Sequence, residues 1–220
     1  GNWIEDENIK IYDLTYEELL KFDVGSLNKL SRYGRRFVNQ KTLENQKIPK
    51  LSELLDLSSK NISENLIINL EIKSTPDEEN LTPTPEEMVK LVIEEVRKSN
   101  LQNKIIVSSF DWRTLTEIKN LYPEISRGYL TYQQQAGIKI KNTIYNRSPW
   151  MSYLPFFENH ELPKIIKSQG GEAWHPYHKD ITKELVDISH QEDLPVNVWT
   201  VNKEYDMLKM VEYGVDGIMT

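Results

Sequence analysis

The sequence predicts an α/β fold built on a parallel sheet. Two observations carry that expectation. Six short apolar runs have strand character, at 67–73, 104–109, 125–130, 172–176, 195–201 and 217–220. From residue 67 onward, segments of helical period alternate with them, and such alternation gives parallel strands covered by helices. Two architectures satisfy the pattern: an open doubly wound sheet, and a barrel of eight strand–helix units, which typically takes about 250 residues. With six strands in 220 residues, a barrel would be two strands short. The last strand has no helix after it, and the N-terminal helices have no strand before them. The expectation is therefore one partial domain over residues 1–220, truncated at both ends.

Composition narrows the function classes. The chain is 38% hydrophobic and 28% charged, enough for a sizeable core. Its net charge is −7 and its pI about 5.3, without the basic stripe that marks nucleic-acid binders. It has no cysteine, hence no disulfide framework, thiolate metal site or cysteine nucleophile. No apolar run approaches the roughly 20 residues of a membrane span. No signal peptide is visible, so the expected location is the cytoplasm. The alternative is a periplasmic or secreted protein, because the first residue is Gly1 rather than a methionine.

The elements follow in order. Thr15 and Glu18 form a capping box before a helix that Gly25 is expected to end, with Leu14 stapled to Leu19. Residues 26–47 read as a solvated basic loop; an anion-binding role for Arg32, Arg35 and Arg36 is the alternative. Pro49 opens a short helix with a stripe of Leu51, Leu54 and Leu55. Thr84-Pro85-Glu86-Glu87 is a second capping box, ahead of a helical face of Met88, Leu91, Val92 and Val96. Asp111 can cap the helix carrying Leu115, Ile118 and Tyr122, and 125–130 is the weaker strand after it. Residues 131–160 are irregular and aromatic, and a connection of that length tends to be functional. Leu162, Ile165 and Ile166 make a short helix ended by Gly170-Gly171. A helix over 181–191 uses Leu185, Val186 and Ile188. The run 195–201 is the strongest strand, and Asn202 is expected to cap a helix with Met207, Leu208 and Val211, stopped by Gly214.

Candidate chemistry starts in the strand 67–73. Ile68, Leu70 and Ile72 point one way; Asn69, Glu71 and Lys73 point the other. A carboxylate and an ammonium on one face of a buried-type strand need a partner, an ion or a ligand. They face an active-site cavity at the strand's carboxyl end, or they form a structural ion pair. Glu71 is the best candidate ligand for a hard cation, although such ions usually take more than one carboxylate. Lys73 suits a phosphate oxygen. Trp199 and Phe110, near strand ends, suit either a pocket wall or plain core. His175-Pro-Tyr-His178 has the wrong spacing for a metal pair on one strand face and reads as structural.

Several motifs resemble the glycerophosphodiester phosphodiesterase family. They are Leu14-Thr-Tyr-Glu-Glu-Leu19 with Asp23-Val-Gly25, Ile48-Pro-Lys-Leu-Ser-Glu-Leu54, Asn69-Leu-Glu-Ile-Lys73, Val107-Ser-Ser-Phe-Asp111, Asn197-Val-Trp-Thr-Val-Asn202 and Gly214-Val-Asp-Gly-Ile-Met-Thr220. They occur in the family's order over nearly the whole chain. The resemblance implies a TIM (β/α)8 barrel of the phospholipase C-like phosphodiesterase type, incomplete here at about six of eight strands. It implies metal-dependent hydrolysis of glycerophosphodiesters to an alcohol and sn-glycerol 3-phosphate. Glu71 would ligate a divalent cation, Mg²⁺ or Ca²⁺. Lys73 would contact the phosphate, and Phe110 and Trp199 would line the substrate pocket. The family's His-Arg-Gly, Glu-x-Asp and His-Asp motifs, which carry the catalytic histidines and the other metal carboxylates, do not occur in this sequence. The resemblance thus implies an active parent enzyme and an inactive 220-residue chain, or a non-catalytic binding or scaffold remnant of the same barrel. The expected partner is a small molecule, with no nucleic acid and no membrane span. An unclosed barrel with two free strand edges is expected to be unstable alone.

Overall fold

The computed structural model describes residues 3, 9–61, 63–134, 141–156 and 158–220. The chain forms two compact units, residues 1–60 and 61–220.

In the first unit, Thr15 and Glu18 close the expected capping box on a one-turn helix, α1 (Tyr16–Leu19). That helix stops at Leu19, so Gly25 does not end it. Gly25 instead passes so close to the Leu43 carbonyl that a Cβ would lie 1.9 Å from its oxygen. Asp23 fixes this crossing by accepting from the backbone N–H groups of Gly25, Asn45 and Gln46. The basic segment is not all loop: Ser31 caps a short helix, α2 (Arg32–Arg36). The third helix, α3 (Leu51–Lys60), buries Leu55 and leaves Leu54 exposed.

The second unit holds the sheet. Its strands are β1 (Ile68–Glu71), β2 (Ile105–Ser109), β3 (Ser126–Thr131), β4 (Ala173–Pro176), β5 (Asn197–Val198) and β6 (Gly217–Ile218). β1 to β4 pair in parallel in chain order, as do β5 and β6. Parallel bridges at Trp174–Val196 and Tyr177–Trp199 continue the order from β4 to β5. A doubly wound sheet reverses its strand order at a switch point; this order never reverses. It is the winding of a barrel. Among the described residues no pairing of β1 with β6 closes the ring. Even so, Asn69 Nδ2 lies 3.7 Å from Met219 Sδ, so the sheet curls far enough to bring its two ends within side-chain reach.

α-Helices follow β1, β2 and β4: α4 (Pro85–Ser99), after a 3-10 turn at Glu79–Leu81, α5 (Trp112–Leu121) and α7 (Lys183–Gln191). α6 (Leu162–Ser168) precedes β4, and α8 (Glu204–Tyr213) lies between β5 and β6. The Thr84–Glu87 capping box and Pro85 start α4 as the sequence predicts. Val96 is buried as expected, but its buried companions are Val89 and Ile93 rather than Met88 and Val92, and Leu91 is exposed. Asp111 caps α5, whose Leu115 and Ile118 are fully buried. β3 is a core strand rather than a weak one: residues 127–131 are all buried. Its Arg127 is buried by stitching the amino end of the sheet, donating to the carbonyls of Pro123, Ile125 and Gly170. The run expected to be the strongest strand pairs only over Asn197–Val198 with the flanking bridges. α8 starts after Lys203, without a side-chain cap from Asn202. It buries Met210 and exposes Leu208 and Val211, because only one narrow stripe faces the sheet. Gly214 ends it with φ +79.

The register decides which side chains share a face. Glu71 pairs with Ser108, Ser108 with Gly128, and Gly128 with Ala173. Because side chains alternate, Asn69, Glu71, Lys73, Ser108, Phe110, Gly128, His175, Asn197 and Trp199 share one face of the curled sheet. His175 is buried there. Asn197 Nδ2 lies 3.1 Å from its Nε2, and since an amide nitrogen only donates, the ring proton belongs on Nδ1. Burial pushes the His175 pKa down to about 4.

Two outcomes follow from this face. His175 binds fewer protons folded than unfolded between pH 4 and 6.5, so its stabilising share is present above pH 6.5 and is lost as the pH falls toward 4. Urea titrations across that window should show about 3 kcal/mol more loss in the wild type than in His175→Asn. At Gly128 a Cβ would lie 2.5 Å from the His175 ring. Gly128→Ala should cost about 1–3 kcal/mol in urea unfolding, and pairing it with His175→Ala should return part of that.

Candidate active site

A cavity of about 610 Å³ opens at the carboxyl ends of β1 and β2. In parallel α/β sheets this is where ligands bind. Glu71, Lys73 and Phe110 line it, together with Asp77, Lys141 and Trp150. Trp199 stands next to it, its ring edge-on to Phe110 at 5.3 Å. The structure therefore brings together the four residues that sequence reasoning selected. Asp77, Lys141 and Trp150 were not selected. Asp77 and Lys141 come from irregular segments and Trp150 from a one-turn 3-10 helix, all too short for a period to show which way a side chain points. Trp150 Nε1 donates to Asp77 Oδ2 at 3.2 Å, joining two of those segments.

Glu71 Oε1 lies 2.5 Å from Lys73 Nζ, with side-chain exposures of 30% and 77%. The two charges thus form a pair, and the pair sits in the cavity wall. An ion pair this open is worth no more than about 1 kcal/mol. It orients Lys73 without holding it against a competing anion.

The strand ends are fastened beneath the cavity. Ser109 Oγ donates to the Ile72 carbonyl at 2.8 Å and accepts from Asp111 N. Ser74 Oγ donates to Asp111 Oδ2 at 3.0 Å and is also 3.0 Å from Thr114 Oγ1. Arg113 clamps the same carboxylate through Nε and Nη2, at 3.0 and 2.9 Å, and reaches Glu79 through Nη1. Asp111 is fully buried. Hydrogen bonds to Asp111, opposed by desolvation, raise the Arg113 pKa. Across the sheet, Trp199 Nε1 donates to the His175 carbonyl at 2.9 Å, and Tyr132 and Tyr177 pack against the Trp199 ring. The wall beside Phe110 is thus aromatic and rigid. Asp180 braces the next loop, accepting from Gln133 N and Gln134 Nε2; burial raises its pKa.

The histidines are elsewhere. His175 is buried and does not line the cavity, and His178 packs edge-on against Tyr177 at 4.8 Å. No histidine lines the cavity, and no group of three His, Asp or Glu among the described residues could hold a metal ion.

The profile of the glycerophosphoryl diester phosphodiesterase family matches residues 4–220. The chain belongs to that family. It is thereby a member of a family of phosphoric diester hydrolases. A glycerophosphodiester phosphodiesterase of Caldanaerobacter subterraneus subsp. tengcongensis is 28% identical over 210 residues, covering 96% of this chain and 68% of the relative. The crystal structure of a protein described as a glycerophosphoryl diester phosphodiesterase of Silicibacter pomeroyi superposes with a TM-score of 0.85 at 34% identity. That match covers 100% of this chain and 69% of the other. An Oleispira antarctica phosphodiesterase, solved with its product sn-glycerol-3-phosphate, shares the fold with a TM-score of 0.57 at 20% identity, over 84% of this chain and 60% of its own. The chain thus spans about two thirds of the length of these relatives. No helix among the described residues is long and apolar enough to cross a membrane.

The fastening of the strand ends is testable. Asp111→Ala leaves Arg113 and Ser74 without their shared acceptor and should destabilise the fold by about 3 kcal/mol in urea unfolding. Ser74→Ala, which removes one neutral donor, should cost about 1 kcal/mol.

Proposed function

We propose that this cavity is the phosphodiester site of an enzyme that hydrolyses glycerophosphodiesters to an alcohol and sn-glycerol 3-phosphate. The observation that supports it best is the gathering of Glu71, Lys73 and Phe110 around one cavity, with Trp199 behind, in a chain of this family. In this reading Lys73 leaves Glu71 and pairs with a phosphoryl oxygen, where its charge opposes the charge that builds in the transition state. Lys141 stands on the same cavity and adds to the positive potential. Phe110 and Trp199 give the glycerol or alcohol portion a flat apolar wall and exclude water.

Glu71 is proposed as one ligand of a divalent cation, Mg²⁺ or Ca²⁺, whose chemistry would be to polarise the phosphoryl group. A hard cation takes about six or more oxygen ligands. Glu71 alone does not supply such a shell, and the described residues contain no group that does.

Residues 1–220 are proposed to form part of the family's catalytic domain and to be inactive on their own. The cavity has no histidine to act as general base or acid, a function worth about 10²–10⁴-fold. A second reading, a binding domain without catalysis, draws on the same lack of a histidine and on the mutual satisfaction of Glu71 and Lys73.

The decisive assay is release of sn-glycerol 3-phosphate from glycerophosphocholine by the chain extended upstream. We expect chelator-sensitive release by that longer chain. Lys73→Ala and Glu71→Gln should each lower it about 10²–10³-fold. The 220-residue chain should show none. No release by the longer chain, with sn-glycerol 3-phosphate still bound in a Lys73-dependent way, would favour the binding domain.

A further inference from the structure

The stretch from Lys29 to Lys41 departs from the rest of this acidic chain and, against the expectation of no basic stripe, gathers cations on one surface segment. It holds Lys29, Arg32, Arg35, Arg36 and Lys41 and no acidic residue, in a protein of net charge −7. All five cations are exposed, and none is ion-paired with a described residue. Beside them the chain exposes apolar side chains: Leu30 is 84% exposed, Val38 63% and Tyr33 61%. The Tyr33 and Phe37 rings touch at 4.7 Å, and the Arg36 guanidinium stacks on Phe37 at 5.3 Å. Arg35 Nη1 donates to the Leu30 carbonyl at 2.7 Å, which ties the aliphatic tip to the cationic helix.

This is a built surface. Ser31 Oγ accepts from Gly34 N at 2.9 Å and donates to the Asn28 carbonyl at 2.7 Å. Asn28 Oδ1 accepts from Leu30 N at 3.0 Å. Gly34 is buried so tightly on Asn28 that a Cβ would lie 2.0 Å from its carbonyl oxygen. Apolar tips and cations are thus presented together on a fixed turn.

We propose that Lys29–Lys41 docks the protein on an anionic phospholipid surface, with the guanidinium and ammonium groups at lipid phosphates and Leu30, Tyr33, Phe37 and Val38 in the headgroup region. The chemistry selects this occupant. Unpaired cations are drawn to the negative surface of a bilayer, and aromatic and aliphatic tips gain by entering its interface. Against a nucleic-acid backbone the two aliphatic tips would gain nothing. A second copy docked through the same face would bring like charges together. The docking stands on these residues alone and does not depend on the reading of the cavity.

Sedimentation with large vesicles tests it, comparing pure phosphatidylcholine with phosphatidylcholine containing about a third phosphatidylglycerol. We expect binding to the anionic vesicles only, weakened by high salt. Arg32→Gln, Arg35→Gln and Arg36→Gln together should weaken it roughly 100-fold, at about five-fold per charge. Tyr33→Ser with Phe37→Ser should weaken it further at high salt, where the apolar share remains. Far-ultraviolet circular dichroism, unchanged in both variants, confirms that these exposed positions leave the fold intact. No binding to anionic vesicles, equal binding to neutral ones, binding unaffected by the triple substitution, or binding to heparin or an acidic protein without any to vesicles would overturn the proposal. So would a dimer in solution that Tyr33→Ser with Phe37→Ser dissociates.

Discussion

The carboxylate of Asp111 is the constraint on which the site depends. A buried charge costs several kcal/mol unless its partners surround it. Asp111 meets that condition only when three things coincide: Ser74 just past β1, Arg113 in the first turn of α5, and the backbone N–H of that same turn. One side chain therefore couples the end of one strand, the end of the next, and the start of the helix between layers. Ser74 follows Lys73 in the chain, and Asp111 follows Phe110. The two residues aimed into the cavity are thus immediate neighbours of the two that are fastened. Lys73 is exposed at its tip and anchored at its root.

The polar interior of the curled sheet follows a related logic. Parallel strands covered on both sides usually carry apolar residues on both faces. Here the inner face carries Ser108, His175 and Asn197, and the strands on either side of that histidine–amide pair make room for it with glycine. A Cβ at Gly128 would strike the His175 ring, and a Cβ at Gly217 would lie 2.3 Å from Asn197 Oδ1. Glycine inside a strand weakens it unless something approaches closely, and here something does. Ser108 Oγ and His175 Nδ1 are buried without a hydrogen-bond partner among the described residues. This face of the sheet therefore trades apolar packing for polar groups on the same side as Glu71.

Much of this was legible in the sequence, and the reason differs from element to element. Both Ser/Thr-x-x-Glu capping boxes were read correctly, because a cap is a local device whose partners lie three residues apart. Glu71, Lys73 and Phe110 could be assigned to one face because a strand's period of two leaves little freedom. The misreadings have physical causes. The face of α4 was displaced because Met88, Val89, Val92 and Ile93 are all apolar, and only packing decides which of them go inside. The run at 195–201 pairs over fewer residues than its composition suggests, since β propensity reports a fit to a surface and not the length of the ladder. Asp77, Lys141 and Trp150 had no periodic signal. They reach the cavity through loops whose course is set by side-chain bonds such as that from Trp150 to Asp77.

The spacing of Glu71 and Lys73 ties the fold to the chemistry. Two residues apart on a strand, both must face the same side, so each charge carries its counter-ion wherever the strand puts it. In a closed core such a pair would be inert, since separating it would leave two desolvated charges. At the open carboxyl end of β1 the balance changes. Lys73 is largely solvated, so releasing it from Glu71 costs little, while a phosphoryl oxygen offers a charge-assisted bond of at least equal strength. A resting pair of this kind keeps both groups aimed into the cavity, where the proposed reading has Lys73 exchange Glu71 for an anionic oxygen. The same exchange cannot occur in a strand whose end is capped by core, which is why the position of the pair matters more than its composition.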